Sequence, residues 1–395
     1  MSRTVISERA RRVNPSPTLS ITARIKAMQA EGRDVLAFGA GEPDFDTPEH
    51  IKQAARDALD AGFTKYTPTP GIDDLRKAIC AKLKRENNLD YEPKNVIVSV
   101  GGKHSLFNAF LTLLDPGDEV IIPAPFWVSY PEQVVLAQGV PVYVHMPESD
   151  GFRLKADALE KALTPRTKLV VINSPSNPTG AVYEPEEIKK IARLAVERDF
   201  WVISDEIYDR LTYGEPPLSI ASLGEDIWSR TLTINGLSKT YSMTGWRLGY
   251  TAGPEDVIKA MTRIQDQSTS NPTSIAQKAA VAALNGPQDA VEVMRKAFEE
   301  RRNVLVNGLN ELPGVKCPMP GGAFYAFPDV SGWFGGDIKG SDDLAGVLLE
   351  KYGVGVTPGS GFGADNCVRF SYATSMDVIL EGLRRLKRAA DDLAH

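Results

Sequence analysis

Cysteine and histidine are scarce in this chain of 395 residues, and their placement removes several chemistries. Cys80, Cys317 and Cys367 are widely spaced and form no CxxC pair, so neither a disulfide framework nor a zinc site is expected, and the three read as reduced thiols. His50, His104, His145 and His395 build no HExxH helix and no triad, which leaves metal-assisted hydrolysis and serine chemistry without their parts; no metal is expected. No run approaches the roughly 18 consecutive apolar residues of a membrane span. The polar opening MSRTVISERARR lacks the apolar segment of a secretory signal, so the expectation is a cytoplasmic protein without membrane contact. A net charge of −6 with no basic block excludes a nucleic-acid surface as well. What remains is a protein that handles small molecules.

Against these absences stand 42% apolar and 24% charged residues, ordinary globular composition in a chain long enough for one large core and a smaller one. Strand-like apolar runs recur at Val96 to Val100, Glu119 to Ile122, Pro141 to Val144, Lys168 to Ile172, Trp201 to Ser204, Thr231 to Ile234 and Leu248 to Ala252. Helix-length amphipathic patterns separate many of them, as at Lys103 to Leu114, which runs into the stop signal Asp115, Pro116, Gly117, and at Glu184 to Arg198. This alternation predicts an α/β fold: a mostly parallel sheet covered on both faces, with ligand groups at the carboxyl ends of its strands. Near Ser268 to Pro272 it gives way to one long helical stretch, Ile275 to Leu309, read as the bridge into a second domain. The expected division is 1–48 for an N-terminal arm and part of the small domain, 49–290 for the large domain and 291–395 for the rest of the small one.

The most informative stretch is GLSKTYSMTGWRLG, Gly236 to Gly249, which sets Lys239 and Arg247 eight residues apart on the connection between two predicted strands. A lysine with a depressed pKa forms a Schiff base with an aldehyde, and a guanidinium presents a planar fork of donors to phosphate oxygens. One cofactor held at two ends fits that spacing; a solvated surface pair is the alternative reading of a bare lysine and arginine. In VIVSVGGKHSLFNAF, Gly101 and Gly102 lie between a strand and a helix, so that free N–H groups and the helix dipole would face an anion, although a sharp turn has the same pattern. It is not a P-loop, and Gly39, Ala40, Gly41 do not build a dinucleotide fingerprint. Asp205 closes an apolar strand, where a carboxylate requires a cation, an N-cap role or an ion pair. Asn177 precedes Pro178 in a segment that also reads as a turn, and Trp127 is either a flat stacking face or core. Arg369 stands between apolar residues in a short strand, which implies a carboxylate partner.

The attachment pattern of Gly236 to Gly249 resembles that of the class I aminotransferases throughout, in particular their bacterial aspartate aminotransferase branch. The likeness extends from AGEPDFDTPEH (Ala40 to His50) to RFSYATS (Arg369 to Ser375). It implies the fold of pyridoxal phosphate-dependent transferases: a large domain with a mostly parallel seven-stranded sheet, and a smaller α/β domain. It also implies that Lys239 binds the cofactor aldehyde and acts as the base. Asp205 would hold the ring nitrogen, with Tyr208 and Asn177 at the ring oxygen and Trp127 stacked on the ring. Gly101, Gly102, Lys103, Ser238 and Arg247 would complete the cofactor contacts, joined by Tyr66 from a neighbouring subunit, so that a homodimer shares its active sites. On the substrate side the resemblance places Arg369 and the Gly41 N–H at the α-carboxylate, with Trp127 and Asn177 beside it and Lys103 at a distal carboxylate. The activity implied is ping-pong transfer of the amino group of aspartate to 2-oxoglutarate, with prephenate, aromatic or broad-specificity transamination as the alternative. Prephenate-using relatives carry a lysine where this chain has Asn14, with Arg12 two residues earlier and Ser16 and Thr18 beside the same entrance. A non-catalytic sensor of the same fold would need a DNA-binding domain, and the roughly forty residues before AGEPDF are not a basic helix-turn-helix. A nicotinamide dehydrogenase would need the missing glycine fingerprint.

Overall fold

The computed structural model describes residues 5–15 and 17–393. All seven predicted strands form, and they make a single sheet. Across it the order is Val96–Ser99, Gly249–Ala252, Thr231–Gly236, Trp201–Asp205, Thr167–Asn173, Glu119–Ala124 and Val140–His145. Every pairing is parallel except those of Gly249–Ala252, which runs antiparallel to both neighbours. Glu119–Ala124 and Thr231–Gly236 are buried along their whole length; the first reads as a continuous apolar run from Val120 to Ala124, whereas the second buries Thr231, Thr233 and Asn235 between its apolar residues. Val140–His145 lies at the edge, and its Val140, Tyr143 and His145 are exposed.

Successive strand residues supply opposite faces. Ile97, Val120, Ile122, Leu169, Val171, Ile203 and Leu232 pack on one side with Leu106 and Phe110 of the helix Gly102–Leu113 and Ile258 and Met261 of Glu255–Asp266. Their neighbours Val170, Ile172 and Val202 pack on the other, against Ile188 and Ile191 of the helix Pro185–Glu197. The sheet is therefore covered on both faces.

A second group of elements draws on both ends of the chain. Leu36–Ala37 pairs in parallel with Val354–Gly355, and a three-stranded antiparallel sheet is made of Thr357–Pro358, Val368–Ser371 and Tyr325–Ala326. Their core includes Phe38, Phe298, Phe324, Tyr325, Phe370 and Tyr372, with Tyr208 and Leu211 of the large sheet's connections packed into it. The long helix expected from Ile275 to Leu309 is instead two helices, Ser274–Asn285 and Asp289–Asn310. The break falls at Gly286 and Pro287, where proline has no N–H to give and its ring opposes the preceding turn. Among the described residues, no helix is long and apolar enough to cross a membrane.

Parallel strands bring their carboxyl ends to one edge of the sheet, and the antiparallel strand begins at that same edge. Lys239, just after Gly236, and Arg247, just before Gly249, are thus held together by strand direction. The fit is tight: a Cβ on Gly249 would stand 2.3 Å from the backbone nitrogen of Gly102 and 2.5 Å from the carbonyl carbon of Gly101. Gly249→Ala is expected to cost about 1–3 kcal/mol, measured by urea unfolding, because backbone on both sides would have to shift.

Candidate active site

At the edge strand Val96–Ser99 the chain turns through Gly101, whose φ of +83° suits glycine, and enters the helix Gly102–Leu113. No side chain caps this helix, and its first turn carries no acidic residue. Two cations stand there instead. Arg247 packs against Gly101, where a Cβ would approach its Nη2 to 2.6 Å; burial, and after it the charge of Arg247, lowers the pKa of Lys103. Positive side chains at the positive end of a helix dipole are mutually unfavourable unless an anion joins them. The backbone of Arg247 is itself left-handed, φ +56°, an uncommon state for a residue with a side chain. Its Nη1 donates to Thr244 O at 2.8 Å, and among the described residues neither Arg247 nor Lys103 has an ion pair.

Three strands in from that edge, Asp205 ends its strand 5% exposed. It accepts from the Tyr130 hydroxyl at 2.7 Å and from the Ile207 N–H at 3.2 Å. Burial pushes its carboxyl up to about 6, against those two bonds and the charge of Lys239. Tyr208 shares a hydrogen bond of 2.9 Å with Tyr325, and burial pushes its hydroxyl well above the ordinary value. The neighbouring strand ends at Asn173, which donates to Asp205 O at 3.1 Å and accepts from the Asn177 N–H at 2.8 Å.

Asn177 in turn accepts from Arg369 Nη1 at 2.8 Å, while Arg369 Nη2 donates to Gly39 O at 3.0 Å. The guanidinium is 2% exposed, lies 4.5 Å from the Tyr325 ring centroid, and leaves its Nε without a partner. No carboxylate pairs with it among the described residues, and burial lowers its pKa. Lys239 donates to Gly41 O. Desolvation brings its ammonium down to about 8; Arg369 and Arg247 add to the fall, and Glu42 and Asp205 oppose it. Near neutrality a usable share of this amine is therefore uncharged and nucleophilic.

These groups line one cavity of about 480 Å³. It gathers Gly41, Gly102, Lys103, Trp127, Asn177, Asp205, Tyr208, Ser238, Lys239, Arg247 and Arg369, all picked out in the sequence. Gly101 lies just behind the lining, against Arg247. The Lys103 ammonium sits 5.0 Å from the centroid of the Trp127 ring. Tyr66 is not brought in: it is 93% exposed, on a loop anchored by buried Gln265, which donates to Thr69 O at 3.0 Å, and buried Gln277, which donates to Thr67 Oγ1 at 2.9 Å. Thr18 lines the cavity, but Asn14 is turned to Glu132, donating from Nδ2 at 3.0 Å, and Arg12 pairs with Glu8. Ser16 lies outside the described residues. Sequence reading missed Tyr130, Tyr325, Asn173 and Glu42. Tyr130 and Asn173 carried no signal beyond a buried pattern, and Tyr325 reaches the site only through the packing of the second group of elements.

The family model for aminotransferases of class I and II matches residues 33–386, and the chain belongs to that family. It is 51% identical to the aspartate aminotransferase of Geobacillus stearothermophilus, over 97% of this chain and 98% of that protein. It is 49% identical to the aspartate/prephenate aminotransferase of Cereibacter sphaeroides, over 97% of this chain and 98% of that one. The solved structure of the Thermus thermophilus aspartate aminotransferase with maleate superimposes with a TM-score of 0.94 at 46% identity, covering 98% of this chain and 100% of that chain.

Asp205 gives a test of the site's electrostatics in the protein stripped of ligands. Its carboxyl rises from the ordinary 3.8 to about 6, so the folded state binds more protons than the unfolded chain between those values, and stability falls as pH rises through them. Asp205→Asn removes that penalty. The variant is expected to lack this decline and to exceed the parent by about 1–3 kcal/mol above pH 6, read from urea unfolding across the pH range.

Proposed function

We propose that this chain is a pyridoxal phosphate-dependent aminotransferase that moves the amino group of aspartate to 2-oxoglutarate, giving oxaloacetate and glutamate. The observation that carries the reading is Arg369, a buried guanidinium with a free Nε and no carboxylate partner among the described residues, in one cavity with the partly neutral amine of Lys239. A cation so placed calls for an anionic ligand, and an α-carboxylate matches its fork.

The residues present fit the cofactor. Asp205 would accept the protonated ring nitrogen, whose charge offsets the burial of the carboxylate. Tyr208 and Asn177 would donate to the ring oxygen, and Trp127 offers its face to the ring. The uncapped helix start after Gly101, together with Gly102, Lys103, Ser238 and Arg247, would hold the phosphate. When bound, the cofactor supplies the aldehyde that receives the amino group and the electron sink that makes the substrate's α-proton acidic.

Within that arrangement Arg369 and the Gly41 N–H would orient the α-carboxylate, and Lys239 Nζ would take the proton from the α-carbon and pass it to the cofactor carbon that bore the aldehyde. A general base with a pKa near 8 is matched to neutral operation. Lys103, on the same cavity wall and without an ion pair among the described residues, would receive the distal carboxylate of aspartate or 2-oxoglutarate. Asn14 is neutral and occupied by Glu132, which supports an acidic donor over prephenate. Tyr66, held outward on its anchored loop, would reach the phosphate of a second subunit, making the working unit a homodimer with shared sites. The division at 48/49 and 290/291 belongs to the same reading, supported by the pairing of Leu36 with Val354.

Three variants test it. Lys239→Ala should abolish amino transfer and the absorbance of lysine-bound cofactor, and a fully active variant would refute the assignment. Arg369→Leu should raise KM for aspartate by roughly a hundredfold or more. Lys103→Met should lower kcat/KM for aspartate about tenfold or more while leaving alanine within about threefold, in assays that compare aspartate, glutamate, alanine, phenylalanine and prephenate. Equal rates of the parent on all five would overturn the choice of an acidic donor.

A further inference from the structure

Behind the cavity wall lies a second set of charges that the proposed chemistry does not use. Lys82 is 4% exposed and stands in the buried face of the helix Asp73–Asn87, among Leu75, Ala78, Ile79 and Leu83. Its ammonium donates to Asp209 and, at 2.8 Å, to Asn87 Oδ1, and lies 3.6 Å from Glu86. Asp209, 7% exposed, also accepts from Asn235 Nδ2 at 2.9 Å. Glu206, 4% exposed, accepts from Asn87 Nδ2 at 2.9 Å, Ser204 Oγ at 2.8 Å and Ser219 Oγ at 2.7 Å. Arg210 closes the set from the rim, 3.1 Å from Glu86.

The placement of these groups along the chain is the informative part. In the turn after the Trp201–Asp205 strand, Asp205 and Tyr208 line the cavity, while the residues that directly follow each of them, Glu206 and Asp209, turn the other way into the charged cluster. The second segment to reach the cluster is the end of Thr231–Gly236. Asn235 donates to Asp209, and its Oδ1 accepts from the Gly236 N–H at 2.7 Å, three residues before Lys239. The Asn235–Asp209 hydrogen bond thus joins the two segments that carry the ring-nitrogen carboxylate and the reactive amine, and buried Lys82 pairs with the aspartate of that bond. An apolar pair of the same volume would cost less desolvation here, so a buried ion pair is not explained by stability alone.

We propose that the Lys82–Asp209 pair is a positioning element that holds the Asp205–Tyr208 turn and the Ser238–Lys239 segment in fixed relation from behind the site. Lys82 is a positioning residue in this scheme, acting through Asp209 and Asn235 without touching substrate or cofactor. The inference rests on the roles proposed for Asp205 and Lys239. It adds a residue from a helix that contributes nothing to the cavity lining.

The test uses Lys82→Met, with Lys82→Arg as the conservative replacement, as purified enzyme loaded with pyridoxal phosphate. Three quantities are read: thermal melting, the pH titration of the lysine-bound cofactor's absorbance, and kcat and KM for aspartate. In folded Lys82→Met the titration midpoint should move by about half a unit or more and kcat should fall about tenfold or more. KM should stay within about threefold, because Arg369 belongs to a different group of elements. Lys82→Arg should recover most of both changes. A folded Lys82→Met with the parent's midpoint and kcat, and only a lower melting temperature, would overturn the proposal and leave the pair a structural one. If Lys82→Met does not fold, Asp209→Asn, which keeps the shape and an acceptor for Asn235, is held to the same criteria. A parent enzyme without lysine-bound cofactor absorbance would instead sink the proposed function, a distinguishable failure.

Discussion

A buried guanidinium with no counter-charge among the described residues is the constraint around which the rest of this structure is arranged. Taking an arginine out of water costs several kcal/mol unless it is paired. Among the described residues Arg369 meets the Asn177 amide oxygen, the Gly39 carbonyl and two aromatic faces, and no carboxylate. The imbalance recurs across the cavity. Asp205 is buried with a hydroxyl and an N–H rather than a cation, Lys239 is desolvated until its amine loosens its proton, and Arg247 crowds a helix start that already carries positive potential. Each group lacks a partner of a different kind, and one anionic, cationic-ringed, aldehyde-bearing cofactor with an amino acid beside it would complete them all.

The fold tolerates this because the polar groups sit where rigid elements end. The central strands are largely buried, and the polar groups of the site stand at their carboxyl ends or just beyond, as Asp205 and Lys239 do. Strand direction does the sorting. The parallel strands deliver Asn173, Asp205 and Gly236 to one edge, and the reversed strand Gly249–Ala252 returns Arg247 to it. Arg369 and Tyr325 come from the three-stranded sheet of the second group, so the cavity exists only while the two groups are packed together. The shared aromatic core around Phe324, Tyr325 and Tyr208 keeps them so.

Much of this was legible from residue order. The strands announced themselves because buried strand positions are filled mainly by apolar residues, and Lys239, Arg247 and Asp205 stood out as charges bordering such runs. The helix expected from Ile275 to Leu309 was misjudged because apolar periodicity continues across Gly286 and Pro287, whereas backbone hydrogen bonding does not. Tyr130 was invisible for a different reason. A tyrosine in an amphipathic helix looks like core, and nothing local says that its hydroxyl meets a carboxylate 75 positions away. Lys82 was hidden similarly, a lysine in a charged-looking helix whose burial depends on Asp209.

By itself, then, the chain's order of residues determined the strands, their mostly parallel sense, and which charged side chains stand at strand ends, because local burial and turn chemistry are written in neighbouring residues. Only the tertiary structure decided what those charges face. Among the described residues Arg369 has no carboxylate partner, Asp205 accepts from a hydroxyl, Tyr66 is exposed, and Lys82 pairs with Asp209, 127 positions away. Electrostatic partnership depends on distance and dielectric, and both are set by packing between parts of the chain that sequence separation does not relate.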